Sequence, residues 1–397
     1  MRPNSRCFVL LALAALASAT GCSHPHVLRK QPIAEHPFSS RAADFEADPG
    51  TVVMHYYGSG GWGIRWRNNY LLAAPYFSNH SVQRLLASMA LPNSRLSPNE
   101  KEVRGGLEGT PVAQTNILLL GHGHIDHVAD VPAFFADGLI AGQPTLIADR
   151  STVNELAPVA GHFGCVSSLE FGGEQEAMAR CPLDGIRITP IQHGHAPHAN
   201  PLGIEVAAFG GSVKEPRTTA PGVAGDYKLG GTWAFLIDLL DERGEVAFRI
   251  HYVDSAASPP NGLLPKSRMD GRAVDVHIAC VPGFEQSEDY PETLLRHFGA
   301  RYVMAGHWED FFQPRGEPLR PLRMVLDDPA LERFVDSVER SVPRASALSP
   351  VNKAETDCAA PGRCGPHGPG WTLPIPGETF RFRTAADRPK LAESLGF

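Results

Sequence analysis

The sequence predicts an α/β fold in which two β-sheets are covered by helices, for two reasons. Residues 62–75 and 232–254 each show the pattern of a β-hairpin, with strand-like runs on both sides of a turn. Elsewhere, short apolar runs such as "NILLL" (116–120) alternate with segments of helical spacing such as "HVADVPAFFADGL" (127–139). Hairpins combined with this alternation indicate two sheets with helices on their outer faces.

The same patterns give the order of the elements. Strands are predicted at 51–58, 62–66, 70–75, 116–120, 144–149, 168–171, 186–192, both arms of 232–254 around a turn at 242–244, 273–283, 301–306 and 379–383. Helices are predicted from residue 83 and at 127–139, 151–160, 290–299 and 327–340. Residues 91–110 are predicted as a polar loop, and the Gly- and Pro-rich residues 196–231 as a long loop that is either functional or disordered.

The composition is that of a globular protein with a large core. Of the 397 residues, 43% are hydrophobic and 20% are charged, and the formal net charge is −7. A nucleic-acid-binding protein usually carries a basic surface, so this mild acidity argues against a nucleic-acid partner. We expect one domain over residues 51–397, with a C-terminal extension that begins at about 316.

Residues 1–22 are predicted to be a signal peptide, because a positively charged start precedes the apolar run 8–17, which is too short to span a bilayer as a helix. Two endings compete: "ASA" (17–19) is a site for ordinary secretion, and "ATGC" (19–22) resembles a bacterial lipobox, although leucine is more usual at its first position. We favour the second ending, with Cys22 lipidated and residues 23–50 as a polar tether. The protein is then an exported lipoprotein, periplasmic or anchored to the outer membrane.

Export places the other cysteines in an oxidising compartment, where disulfides form. Cys358 and Cys364 flank the short turn in "CAAPGRC" and are predicted to form a local disulfide. Cys165 and Cys181 are a second predicted pair, and Cys280, in the apolar run "VHIACV", is predicted to be a buried free thiol. The absence of a C-x-x-C pair from the sequence argues against a cysteine-based zinc site.

The motif H-x-H-x-D-H, formed by His122, His124, Asp126 and His127, follows the apolar run 116–120. A single histidine there would be read as a hydrogen-bonded structural residue, but four titratable side chains in six residues are costly to desolvate. Imidazole and carboxylate suit zinc, although iron and manganese also accept them. Since an extended segment points the first two histidines to one side and a helix then follows, we predict two adjacent divalent cations, most simply Zn²⁺.

Further candidate ligands follow three other apolar runs. "ITPIQHGHAPH" contains His193, His195 and His198, "FRIHYVDSA" contains Asp254, and "RYVMAGHWED" contains His307. Strand ends present their side chains to a shared cleft, so this repetition supports one composite metal site. His198 and Trp308 are predicted to contact the substrate.

In this motif and in the later His, Asp, His order, the sequence resembles metallo-β-lactamase-fold hydrolases over roughly residues 51–314. The resemblance implies a four-layer αββα sandwich that binds two metal ions. It also implies a ligand set: His122, His124 and a third histidine for one metal, Asp126, His127 and His307 for the other, and Asp254 as the bridge.

The resemblance also narrows the activity. The true β-lactamases of the family usually have cysteine at the place of Asp254, so the aspartate points to lactonases, phosphodiesterases and related hydrolases. A narrower resemblance, in "YYGSGGWGIRW", "GHGHIDHVADVP" and "GHW", is to the branch that contains ascorbate-6-phosphate lactonase and N-acyl-phosphatidylethanolamine phospholipase D.

Two positions stay open at this stage. Family members often have I-x-P-x-x-x-x-H, which selects His195 as the third histidine, whereas others have Q-H, which selects His193; we favour His195. The family commonly has Asp-Pro after the second strand, where this chain has Ala74-Pro75. The hydrogen bonding that this aspartate usually provides near the metals must therefore differ here.

Together these observations predict an exported di-metal hydrolase in which a metal-bridging hydroxide cleaves an ester, a lactone or a phosphodiester. Asp126 is expected to orient this nucleophile and to act as the catalytic residue. The alternative is a non-catalytic metal-binding envelope lipoprotein, and a β-lactamase is a weaker third option. The expected partner is a small-molecule or lipid-like substrate, and only the lipid anchor is expected to touch a membrane.

Overall fold

The computed structural model describes residues 40–91, 93–172, 181–197, 209–344, 347–350 and 365–384. The signal peptide with Cys22, the first part of the tether, His198 and the pair Cys358 and Cys364 lie outside the described residues. Within the described part of the chain, no helix has the length and hydrophobicity to cross a membrane. Residues 40–50, predicted as tether, pack on the domain instead, because the buried Phe45 ring lies 4.9 Å from that of His55.

Two seven-stranded sheets form the centre of the protein. In spatial order, the first sheet consists of β14 (Thr379–Arg383), β1 (Thr51–Gly58), β2 (Gly61–Trp66), β3 (Asn69–Ala73), β4 (Ile117–Leu119), β5 (Thr145–Asp149) and β6 (Cys165–Leu169). The second consists of β12 (His367–Gly368), β13 (Trp371–Thr372), β11 (Val303–Gly306), β10 (Val276–Cys280), β9 (Val246–Tyr252), β8 (Thr232–Leu240) and β7 (Ile186–His193). Strands β3 to β6 are parallel, as are β9, β10 and β11.

Helices connect several of these strands. They are α1 (Val82–Ala90), α2 (Glu100–Leu107), α3 (Ile125–Val128), α4 (Val131–Ala136), α5 (Arg150–Glu155), α6 (Glu292–Phe298) and α7 (Asp328–Ser341). Short 3-10 segments lie at Ala42–Phe45, Val112–Gln114, Ala157–His162, Ala224–Asp226, Lys266–Arg268 and Phe284–Gln286.

The hydrophobic core shows how the layers stack. Ile117 and Leu119 of β4 belong to a cluster shared with Ile250 of β9, so this cluster lies between the two sheets. Leu118, between them, belongs to the cluster that contains Phe134 of α4. Because successive side chains of a strand point to opposite faces, each sheet buries one face against the other sheet and one against helices. The predicted αββα sandwich is therefore confirmed.

Two helical segments differ from the sequence prediction. Helix α2 lies in the segment predicted as a polar loop. The sequence pattern did not predict this helix because Gly105 and Gly106 have low helix propensity. A Cβ atom on Gly106 would overlap the ring of Phe77, so packing requires a glycine there. The helix predicted at 127–139 is split into α3 and α4, and Pro132 lies in the first turn of α4, where its missing N–H breaks no hydrogen bond.

The region from residue 316 onward, predicted as an extension, contributes β14 to the first sheet and β12 and β13 to the second. Strand β14 pairs with β1, and β13 pairs with β11. The indole of Trp371 in β13 donates a hydrogen bond of 2.9 Å to Glu339 in α7. The two-residue strands β12 and β13 are too short for any periodicity to predict them.

The predicted pair Cys165 and Cys181 forms a disulfide that joins the start of β6 to the segment before β7. Cys280 is a buried free thiol, also as predicted. We expect replacement of both cysteines by serine to lower the free energy of unfolding by about 3 kcal/mol, because the bond joins residues 16 positions apart and so restricts the unfolded chain. Chemical denaturation of the oxidised wild type and of this double variant measures the difference, and equal stabilities would contradict it.

Candidate metal centre

Strand ends bring the predicted ligands together at one edge of the sandwich. His122, His124, Asp126 and His127 follow β4, whereas His195, Asp254 and His307 follow β7, β9 and β11. The main-chain N–H of Trp233 in β8 donates to the carbonyl of Gly121 at 2.8 Å, which ties the end of β4 to the second sheet. The fold therefore places side chains that are far apart in sequence around one point.

The donor atoms form three overlapping groups, each with its atoms within 4.8 Å of one another. These groups are His122, His124 and His195; His122, His127 and Asp254; and Asp126, His127 and His307. His122 and His127 each belong to two groups, so the arrangement has the shape of two adjacent sites rather than one. The structure thus assembles the residues of the predicted ligand set, and their role as ligands stays a prediction.

Close contacts surround the carboxylate of Asp254, which accepts a hydrogen bond of 3.2 Å from the N–H of Gly121. Nδ1 of His122 lies 3.1 Å from Oδ1 of Asp254. Nδ1 of His127 lies 3.8 Å from Oδ2 and, among the described residues, this buried nitrogen has no hydrogen-bond partner. A bare imidazole nitrogen beside a buried carboxylate oxygen is what a shared cation would satisfy, so the residues fit a metal ion.

The second carboxylate, Asp126, lies between two histidines. Its Oδ2 atom is 3.2 Å from Nε2 of His307 and 3.4 Å from Nε2 of His127. Its backbone carbonyl accepts a hydrogen bond of 3.3 Å from the hydroxyl of Ser59 in the turn between β1 and β2. Both sheets and a turn therefore hold this group of three side chains.

The structure separates the two candidates for the third histidine. The His195 ring lies 4.7 Å from that of His124 and 5.0 Å from that of His122, measured between centroids. Its Nδ1 donates to the carbonyl of Ala196 at 2.6 Å, which leaves the lone pair on Nε2, the tautomer that a metal ligand needs. His193 instead contacts the carbonyl of Ser255 through Nε2 at 2.8 Å and is absent from the three groups.

The protonation states of the cluster also suit metal binding. Burial alone would raise the pKa of Asp254, but His122 and His127 beside it bring that pKa down to about 2. Burial would likewise raise the pKa of Asp126, yet His127 and His307 hold it well below the usual range. Burial lowers the pKa of His127 to about 4. At neutral pH these carboxylates are ionised and this imidazole is neutral, as ligands must be.

Three residues that the motifs did not single out hold His307 in place. The backbone of His307 has a φ of 65°, a left-handed conformation that is unfavourable for histidine. Its N–H donates to the hydroxyl of Tyr56 at 2.7 Å, and this hydroxyl donates to Glu309 at 2.7 Å. Glu309 also accepts from the N–H of Ser59 at 2.5 Å. This buried network links the β1–β2 turn to His307 and offsets the strain of its backbone.

Ala74 occupies the position at which the family commonly has an aspartate. A Cβ atom on Gly60 would lie 2.7 Å from Cε1 of His127 and 3.7 Å from Cβ of Ala74, so the backbone of the turn packs closely against the imidazole. The side chain of Ala74 offers no hydrogen bond here. The carboxylates that the structure places near His127 are those of Asp126 and Asp254.

A cavity of about 230 Å³ opens directly onto the cluster. The predicted ligands line it together with apolar side chains, among them Phe209, Phe311 and Met324, which make up its apolar wall. Phe209 lies in the Gly- and Pro-rich loop and has no apolar periodicity around it, so no sequence pattern predicts its role. Trp308 does not line the cavity, contrary to prediction: its side chain is buried in the core and donates to the carbonyl of Pro374 at 2.7 Å.

Comparisons with known proteins give only distant similarities. No family model and no curated protein matches the chain. Igni18, a metallo hydrolase from the archaeon Ignicoccus hospitalis, is similar over 84% of this chain and 100% of its own, with 12% identity and a TM-score of 0.44. Isothiocyanate hydrolase from Delia radicum gut bacteria is similar over 84% of this chain and 100% of its own, with 14% identity and a TM-score of 0.42.

YhfI from Bacillus subtilis, described as a metallo-beta-lactamase fold protein, is similar over 66% of this chain and 86% of its own, with 13% identity and a TM-score of 0.38. Similarity at this level assigns neither a substrate nor an activity, and the narrower branch stays a prediction. The chemistry must be argued from the side chains of this chain.

The approach of the β4 end to Asp254 gives a direct prediction. A Cβ atom at residue 121 would lie 2.6 Å from the carboxyl carbon of Asp254, so Gly121→Ala must displace this carboxylate. We expect the variant to lose at least half of its bound metal, as measured by elemental analysis of folded protein. Gly142→Ala is the matched control, because a Cβ there meets no atom within 4 Å. Full metal content in Gly121→Ala would show that Asp254 is not a ligand.

Next to Gly123, in the segment that carries the predicted ligands, Glu155 has no exposed surface and accepts a hydrogen bond of 2.8 Å from the N–H of Lys228. Its Oε2 atom has no hydrogen-bond partner among the described residues. Burial raises the pKa of this carboxyl from 4.5 to about 9. The folded protein therefore keeps a proton that the unfolded chain releases, and this group makes the free energy of unfolding fall as the pH rises from 4.5 to about 9.

Glu155→Gln mimics the protonated carboxyl and does not titrate. We expect its melting temperature to exceed that of the wild type at pH 8 and to equal it near pH 4.5. Each kcal/mol by which the variant raises the free energy of unfolding should raise the melting temperature by about 2–4 °C. Calorimetry across this pH range measures the difference. Glu245→Gln serves as the control, because the side chain of Glu245 is exposed. A difference in melting temperature between Glu155→Gln and the wild type that does not change with pH would contradict a buried, protonated Glu155.

Proposed function

We propose that this protein is a metal-dependent hydrolase that binds two divalent cations, most simply Zn²⁺, and cleaves an ester, lactone or phosphodiester bond. The observation that carries the proposal is the convergence of five histidines and two aspartates in three overlapping groups beside a cavity. The carboxylate of Asp254 is fully buried there, that of Asp126 is 13% exposed, and no lysine or arginine is among the described residues that line the cavity. Bound cations would compensate these charges, which are otherwise costly to bury.

Cations bound in such a site supply Lewis acidity and make water acidic enough to ionise near neutral pH. The residues of this chain divide the remaining tasks. His122, His124 and His195 surround one position, Asp126, His127 and His307 surround the other, and Asp254 lies at their junction. The apolar wall of the cavity keeps bulk water away from the substrate bond, which strengthens the electrostatic interactions in the site.

Asp126 is the residue that we assign to orienting the attacking water. It lines the cavity, and its side chain is 13% exposed whereas that of Asp254 is fully buried. The lowered pKa of Asp126 keeps it ionised at neutral pH, so it accepts a hydrogen bond from water. Its low basicity makes it a better orienting group than a proton acceptor.

We also propose that the protein acts outside the cytoplasm. Two features support this: the N-terminal pattern of residues 1–22, with Cys22 at a lipobox-like position, and the disulfide between Cys165 and Cys181. Mass spectrometry of the N-terminal peptide from a bacterial host tests it. A diacylglyceryl group on Cys22 supports the lipoprotein, a free N-terminus at residue 20 supports ordinary secretion, and an intact Met1 in the cytoplasm contradicts export.

The function is tested by removing and restoring the metal. Chelator-treated protein is reloaded with Zn²⁺, Mn²⁺ or Fe²⁺ and assayed on an ester, a lactone and bis(p-nitrophenyl) phosphate. We expect about two metal equivalents in the wild type and turnover of at least one substrate that disappears with the metal. His124→Ala and Asp254→Ala should each lose metal and reduce kcat/KM by at least about 100-fold, more than changes that only affect ligand orientation.

The matched control is His162→Ala, since this histidine is exposed and stacks on Phe135 away from the cluster. It should keep both metal and turnover. Metal in the wild type without turnover of any substrate would favour a non-catalytic metal-binding protein. Full metal content in His124→Ala and Asp254→Ala would refute the assigned ligands.

A further inference from the structure

We infer that the substrate is an uncharged ester or lactone whose acyl or alkyl group packs against the apolar wall of the cavity, rather than a phosphodiester. This inference rests on the proposed hydrolase function and narrows its substrate class. The cavity contacts the predicted ligands directly, so a group that fills it lies next to the bond that is cleaved.

The apolar wall is built from separate parts of the chain. Leu85 comes from α1, Phe209 from the long loop, Phe312 from the segment after β11, and Leu322 and Met324 from the segment before α7. Phe209 and Phe312 are half-buried, and the side chain of Met324 is 43% exposed. Exposed apolar side chains that converge on a cavity are typical of a site that binds an apolar ligand.

The charged residues of the cavity also favour an uncharged substrate over a phosphodiester. The described residues that line it include Asp126 and Asp254 but neither lysine nor arginine. Phosphoryl-transfer sites usually add such cationic side chains to their metals, because charge spreads over several phosphate oxygens. A carbonyl substrate needs fewer donors.

The size of the cavity limits the apolar group. Its volume of about 230 Å³ is smaller than the roughly 300–1,000 Å³ of sites for drug-sized ligands. The wall therefore accommodates a short chain or a single ring and not the whole of a two-chain lipid. Met324 is the exposed member of the wall, so a charge introduced there changes the wall with little effect on the core.

The test compares p-nitrophenyl acetate, butyrate, hexanoate and octanoate with bis(p-nitrophenyl) phosphate, using metal-loaded protein. We expect kcat/KM to rise about threefold to fourfold per methylene until the cavity is filled, and to exceed the value for the phosphodiester. Met324→Arg should weaken the dependence of kcat/KM on acyl chain length. It should lower kcat/KM for the hexanoate by at least tenfold and leave the metal content unchanged. Leu91→Arg is the matched control, because Leu91 is 58% exposed and does not line the cavity.

Binding of methyl ketones of the same lengths, which are not hydrolysed, is measured by calorimetry alongside. A flat ester series with faster turnover of the phosphodiester would overturn the inference and leave the hydrolase intact. If metal-loaded protein turns over nothing, the hydrolase fails, and the ketones still decide whether the cavity binds an apolar group. Affinity that rises with chain length and falls in Met324→Arg supports the apolar site, whereas length-independent affinity refutes it.

Discussion

The structure of the site depends on the carboxylates of Asp126, which is 13% exposed, and Asp254, which is fully buried. No lysine or arginine is among the described residues lining the cavity. An unpaired buried carboxylate is strongly unfavourable, and neutral imidazoles only partly offset it. Five histidines stand around these two groups, and burial lowers the pKa of one of them, His127, to about 4, so that its ring is neutral at pH 7. Multivalent cations would compensate the carboxylate charges, and the proposed chemistry follows from the same charges.

The sandwich stabilises this arrangement, because main-chain contacts fix the backbone of the site independently of its metal-ligand side chains. Parallel strands end at the same edge, and the hydrogen bond between Trp233 and Gly121 joins the two sheets at that edge. Glycine at 121 lets the backbone approach Asp254, and the Tyr56–Glu309 network holds the left-handed His307. The site is therefore preorganised by main-chain contacts, while the apolar wall is assembled from loops and from α1.

Sequence patterns predict those parts of the protein that local chemistry encodes. The motif at residues 122–127 and the ends of three other strands identify the cluster, because ligands of this density have no simpler explanation. Long-range packing is not encoded locally. Trp308 follows a ligand yet turns into the core, Phe209 reaches the cavity from a loop without periodicity, and α2 is hidden by glycines that packing requires.

Anomalous X-ray diffraction at the absorption edge of the bound metal would locate the pair of cations that the three overlapping groups are proposed to hold. We expect two anomalous peaks, one among His122, His124 and His195 and one among Asp126, His127 and His307, with Asp254 between them. A single peak elsewhere, or full metal content with no peak within bonding distance of these side chains, would contradict it.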